Sequence, residues 1–267
     1  MKYMITGNEG LIGKELVKRL DIDCVLSVDK RSGNDIIKLS KMKLPESADI
    51  MFNLAAHCRI NESITNTQKT FFNNVIGINE VMEFCKDNEI KKVVNFSSSR
   101  VLSKEENPYT ASKKYLENLT EAYHQCYGIE YLIIRPSSVY SLGEDKSNRL
   151  MYRWMENAKK GLDIPIFGDK NKTLTFTYID DFLDGLNILM NNWDSTKNKA
   201  YNIGGKEEKL VDVANEIIKQ TNSKSKIVFY PGEKAQPQIV KVDITDLENL
   251  GWKPKIEYKE GIKRCLI

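Results

Sequence analysis

Short apolar runs alternate with stretches of helical period along the first half of this chain. Tyr3-Met4-Ile5-Thr6 stops at Gly7, and Leu11, Ile12, Leu16, Val17 and Leu20 then recur at helical spacing. Cys24-Val25-Leu26-Ser27-Val28 ends at Asp29, and Ile50-Met51-Phe52-Asn53-Leu54 runs into Ala55-Ala56. Asn74-Val75-Ile76-Gly77 opens a helix whose apolar face carries Val81, Met82 and Phe84. Val93-Val94-Asn95-Phe96 reads as the fifth strand and ends in Ser97-Ser98-Ser99. Strands alternating with helices predict an α/β fold with a doubly wound parallel sheet of the Rossmann type. Between Asp29 and Ile50 a full crossover helix hardly fits, so one βα unit is cut down.

Composition narrows the class. With 267 residues, 41% of them hydrophobic, the chain is long enough for a main domain and a smaller lobe. The net charge of +3 is spread through interspersed acids and bases, so neither a nucleic-acid nor a membrane partner is expected. Cys24, Cys58, Cys85, Cys126 and Cys265 show no Cys-x-x-Cys pair, which predicts reduced, mostly buried thiols and no zinc site. His57 and His124 are too few for a histidine-rich metal site. The chain starts directly in a strand-like run, without a basic-then-apolar leader, and no apolar run approaches the ~18 residues of a membrane span. A cytoplasmic enzyme is expected.

The chemistry concentrates at three places. Gly7, Gly10 and Gly13 lie between a strand and a helix, where glycines let the backbone approach a pyrophosphate and the helix N-terminus offers free N–H groups. Leu11 and Ile12 belong to the same turn. Asp29, at the end of the second strand, suits the ribose hydroxyls of NAD, whereas Lys30 and Arg31 suit the 2′-phosphate of NADP. Asp35 and Ile36 are placed beside the adenine, and Leu54, Ala55 and Ala56 against the cofactor. The third place is Tyr109-x-x-x-Lys113, one helical turn apart, where an ammonium can stabilise a phenolate and pull its pKa toward neutrality. Ser97-Ser98-Ser99, at a strand's carboxyl end, points to the same crevice. His57 reads as a satisfied polar residue at a strand end, and Asp180-Asp181 as a helix N-cap. Tyr115, Leu119 and Tyr123 form either core or a dimer face.

These motifs, with Asn74-Val-x-Gly and Arg135-Pro136-x-x-Val139-Tyr140, occur in the order seen in extended short-chain dehydrogenases/reductases, the nucleotide-sugar epimerase/dehydratase family. The resemblance covers nearly the whole chain. It implies Tyr109 as catalytic acid/base, Lys113 as its modulator and Ser98 as the hydroxyl on the reacting oxygen. It also implies Asn74 and Pro136 near the cofactor, Ser99 and Ser138 near the substrate, and a homodimer. The implied layout is a dinucleotide-binding domain over 1–140, to which 173–200 returns, and a small C-terminal α/β substrate lobe over 141–172 and 201–267. The expected substrate is a nucleotide sugar, epimerised at C4 through a keto sugar with NAD. The alternatives are an NAD(P)H-dependent 4-ketoreductase and a non-catalytic dinucleotide-binding regulator.

Departures from the family pattern bear on the substrate. Leu174 stands where an arginine usually clamps the diphosphate, and no arginine occurs between Arg153 and Arg264. Lys170, Lys172, Lys206 or Lys234 can substitute as point charges. Ser99-Arg100 stands where 4,6-dehydratases carry Asp-Glu, which argues against elimination.

Overall fold

A computed structural model describes residues 1–20, 23–237 and 239–266. The strands are β1 (Lys2–Thr6), β2 (Asp23–Val28), β3 (Ile50–Asn53), β4 (Lys92–Phe96), β5 (Glu130–Pro136), β6 (Val139–Tyr140), β7 (Ile164–Phe167), β8 (Thr173–Tyr178), β9 (Lys199–Ile203), β10 (Lys206–Lys209) and β11 (Ile227–Tyr230). The helices are α1 (Leu11–Arg19), α2 (Ile60–Thr65), α3 (Thr67–Thr70), α4 (Gly77–Asp87), α5 (Pro108–Tyr127), α6 (Leu150–Lys159), α7 (Ile179–Asn191), α8 (Trp193–Thr196), α9 (Leu210–Gln220), α10 (Thr245–Glu248) and α11 (Tyr258–Leu266).

Six strands form one parallel sheet in the order β2-β1-β3-β4-β5-β9. Its strands are apolar on both sides because both faces are covered. Tyr3, Ile5, Phe52, Val94 and Ile134 pack into one core, and Met4, Met51, Val93 and Ile133 into another. The chain crosses from β2 over β1 to β3, so the switch point of the sheet lies between β1 and β3. That crossover carries only two 3₁₀ segments, Lys30–Ser32 and Ile36–Lys41, as its length predicts.

Three expectations need correction. The strand at Val93 is the fourth, not the fifth, because the shortened crossover leaves no room for another. Asn74 does not open a helix: the helical chain begins at Thr67 and passes through a π-helical segment, Phe71–Ile76, before α4. The boundary expected after residue 200 falls inside β9, which pairs with β5 and completes the main sheet.

The remaining strands make two small sheets, β10-β8-β6 and β11-β7. In the 173–200 segment, β8 thus belongs to a small sheet, whereas α7 packs with α1 and β9 on the main one. Asp180 and Asp181 lie in the first turn of α7 rather than at its N-cap, which is Tyr178. Asp180 pairs with Arg19 and Arg264, and buried Asp181 accepts from the backbone of Lys255 and Ile256 at 3.0 and 2.8 Å. Cys85 and Cys265 are buried as expected, but Cys24 and Cys126 are exposed. Among the described residues no helix is long and apolar enough to cross a membrane.

Candidate active site

A cavity of about 570 Å³ runs from the glycine turn to the small sheets. At its first end, Gly7 adopts φ +74° and Gly13 lies so close beneath it that a Cβ there would sit 2.2 Å from the Gly7 carbonyl oxygen. A Cβ on Gly7 would sit 2.8 Å from the Ala55 nitrogen. The turn therefore has room for backbone only, and its open side is a cradle at the start of α1. Asn8 Oδ1, buried in this turn, has no hydrogen-bond partner among the described residues. Asp29 is buried at the end of β2, accepting from Arg31 N at 2.9 Å and Glu9 N at 3.1 Å. Gly10, Leu11, Ile12, Lys30, Ile36, Leu54, Ala55, Ala56 and Pro136 all line the cavity. The backbone N–H groups at the start of α1, one buried acid at the end of β2 and apolar walls fit a dinucleotide.

Two expected cofactor residues stand elsewhere. Asp35 does not reach the cavity: it accepts from Ile37 N at 3.2 Å, capping a 3₁₀ turn, and pairs with Lys30 at 3.1 Å. Its neighbours Asn34 and Ile36 line the wall instead. Asn74 also lies behind the wall, and Asn73 lines it. The Asn74 amide clamps the His57 backbone, accepting at 2.7 Å and donating at 3.0 Å, and donates to Ser112 Oγ at 2.9 Å. It thereby ties the segment after Ala56 to the helix that carries Tyr109. His57 itself faces away, satisfied by Thr70 at 2.9 Å and Glu62 at 2.9 Å.

That helix, α5, is firmly started. Asn107 Oδ1 accepts from Thr110 N at 2.9 Å, Pro108 occupies the first turn, and Gly128 ends the helix at φ +69°. Tyr109 and Lys113 are both buried and both line the cavity, with Ser98 and Ser99 opposite at the end of β4. Ser98 lies near enough to the phenol to favour its ionised form, and its Oγ accepts from Arg100 N at 3.2 Å. Ser138 lines the wall at a strained φ of +35°.

The electrostatics run against the expected pull of Lys113 on Tyr109. Burial pushes the phenol up to about 12, and the Cys58 thiol adds to the rise. The Ser98 hydroxyl, Arg100 and Arg149 oppose it. Lys113 Nζ instead donates to the Phe96 carbonyl at 2.6 Å, and burial lowers its own pKa to about 8. The cations that act on the phenol here are therefore arginines from outside the Tyr-x-x-x-Lys motif.

Arg59, Arg149 and Arg153 also line the cavity and carry no motif. Arg149 and Arg153 are four residues apart at the start of α6, a spacing that puts both on one face. Arg149 Nε donates to buried Asp145 at 2.7 Å, whereas Arg153 Nε is buried without a partner among the described residues. Of the four lysines considered, Lys172 lines the wall and Lys206 pairs with Glu257 at 2.6 Å. Lys170 and Lys234 are not on the wall.

A glycine cradle at a switch point joined by one cavity to a Ser-Tyr-Lys cluster defines a dinucleotide-dependent enzyme of the extended dehydrogenase type. The profile of the NAD dependent epimerase/dehydratase family matches residues 3–204, and the chain belongs to that family. It is 27% identical to a putative UDP-glucose 4-epimerase of Methanocaldococcus jannaschii, over 98% of this chain and 96% of that one. It is 29% identical to the UDP-glucuronate 4-epimerase of Thermodesulfobacterium geofontis, over 99% and 94%. The solved UDP-glucose 4-epimerase of Thermotoga maritima, determined with UDP-glucose, superposes with a TM-score of 0.88 at 21% identity, covering 100% of this chain and 97% of that one.

Proposed function

We propose that this protein is an NAD-dependent 4-epimerase of a nucleotide-linked sugar. The observation that carries the reading is the convergence of Ser98, Tyr109 and Lys113 on the far end of a cavity that begins at Gly7 and Asp29. The glycine turn and Asp29 would hold NAD, which would supply the hydride acceptor and donor. Tyr109 takes the proton of the C4 hydroxyl, and Ser98 holds both the phenol and the sugar oxygen. Lys113, anchored on the Phe96 carbonyl, steadies the strand end from which Ser98 projects. The cavity of about 570 Å³ leaves the keto sugar room to turn over, so that hydride would return to the opposite face of C4 while Tyr109 gives the proton back to the C4 oxygen. No further acid or base is required, and Arg100 occupies a place where elimination would need an acid.

The diphosphate falls to Arg153, which lines the same cavity as Leu174 and whose buried Nε has no partner among the described residues, with Arg59 among its charged neighbours. Buried Asp29 favours NAD over NADP, since Lys30 is held by Asp35 and Asn73. Exposed Tyr115, Phe71 and Phe72 support a homodimer through the π-helical segment and α5, whereas Tyr123 is core. The test is to purify the protein, identify the retained dinucleotide, and follow UDP-glucose and UDP-glucuronate by NMR. Conversion to the 4-epimer without added cofactor is expected. Steady consumption of added NADPH with a 4-keto sugar would replace this reading with that of a reductase.

A further inference from the structure

Among the cations that line the cavity, Arg153 and Arg100 are carried by different elements, and one guanidinium suffices for a diphosphate. Arg153 on α6 has Arg59 and Glu233 as its charged neighbours. Arg100 has Tyr109 and Glu105, and Lys172, which lines the same cavity, has Arg100, Glu233 and Glu105 as the charges that act on it. Arg100 follows directly on Ser98 and Ser99, its backbone N–H donating to Ser98 Oγ at 3.2 Å. Its guanidinium is thus carried by the same 3₁₀ turn, Ser99–Leu102, that fixes the hydroxyl beside the phenol.

We propose that Arg100, with Lys172 beside it, recognises a carboxylate at C5 of the sugar, so that the substrate is a nucleotide-linked uronic acid. This rests on the reading of the site as one for a nucleotide sugar. Two like charges in one cavity wall repel, and both pay a desolvation cost that holds their pKa values below the usual range. The acid they share, Glu105, is also engaged by the Ser103 hydroxyl. A neutral hydroxymethyl group would leave the repulsion in place. A carboxylate relieves it, accepting two parallel bonds from the guanidinium and one from the ammonium. The position agrees as well. A sugar whose C4 hydroxyl meets Tyr109 and Ser98 presents the neighbouring C5 substituent to the residues flanking Ser98, and Arg100 is one of them. The diphosphate has its own guanidinium in Arg153, on a different element.

The test compares binding of UDP, UDP-glucose and UDP-glucuronate to the NAD-loaded protein by calorimetry, with turnover of the two sugars measured alongside. Wild type is expected to bind the uronate on the order of 10- to 100-fold more tightly than the hexose, the range of a charge-assisted hydrogen bond. Arg100→Gln should bring that ratio within about threefold and Arg100→Lys should restore part of it, with the affinity for UDP unchanged in both. Arg153→Ala should weaken all three ligands together. Equal wild-type affinity for the two sugars overturns the proposal and needs no variant. Loss of UDP affinity in Arg100→Gln also overturns it, making Arg100 a diphosphate ligand. A uronate preference in binding without any epimerisation would sustain the carboxylate site and instead remove the epimerase reading.

Discussion

At the residue scale, the site depends on what burial does to a few groups. Gly13 is the plainest case, because the carbonyl of Gly7 occupies the space its side chain would take. Gly13→Ala should cost about 1–3 kcal/mol of stability, the range for an overpacked position. It should also reduce the gain in Tm on adding NAD, measured by thermal unfolding with and without the dinucleotide. Lys113 gives a pH prediction. Its folded pKa of about 8 lies below its ordinary value of 10.5, so the unfolded chain binds more protons between those limits. Stability of the unliganded protein should therefore rise from pH 8 toward 10.5, by on the order of 3 kcal/mol relative to Lys113→Met. Denaturant midpoints of the two proteins across that window check it, and parallel curves would contradict it.

At the element scale, buried polar side chains join the strand ends to α5. Thr6 Oγ1 donates to Asn53 at 2.8 Å, Asn53 Nδ2 to Asn95 at 2.9 Å, and Asn95 Nδ2 to Thr120 Oγ1 at 2.8 Å. Thr6 also accepts from Ala55 N at 3.2 Å on the cofactor wall. The chain couples the positions of the glycine turn and the Tyr109 helix. Asn95→Ala removes the acceptor of the Asn53 amide, while Thr120 keeps its bond to the Leu116 carbonyl; it should destabilise by about 1–3 kcal/mol, whereas Asn95→Asp keeps the acceptor for Asn53. A second tie is Glu117, which receives Arg135 at 2.8 and 2.6 Å and Ser97 at 2.5 Å.

The elements were legible where period and punctuation agreed. Gly7 and Asp29 close apolar runs that are strands, and the Tyr109–Lys113 spacing lies on a helix with its cap, Asn107, in place. Less legible was what depends on three-dimensional approach. Asn74 and Asp35 lie within a residue of the cavity wall, but a one-residue turn along a helix decides which side chain faces the ligand. Arg149 and Arg153 carry no motif; only their four-residue spacing at a helix start hinted at a shared face. The direction of the Tyr109 shift also escaped the sequence, because desolvation depends on packing and outweighs a single nearby cation.

At the scale of the whole molecule, a parallel sheet carries the dinucleotide end of the cavity, while the smaller sheets and α6 bring Lys172, Arg149 and Arg153 to its wall. β9 returning to the main sheet after α7 fixes these parts to one core. In the proposed reaction, hydride leaves and returns to the same carbon while Tyr109 moves the proton. The most direct measurement uses nucleotide sugar deuterated at C4, given to the NAD-loaded protein and followed by NMR. The account predicts that the 4-epimer keeps its deuterium at C4, and that Tyr109→Phe slows its formation by about 10²–10⁴-fold. Washout of the label into added NADH, or full-rate epimerisation by Tyr109→Phe, would contradict it.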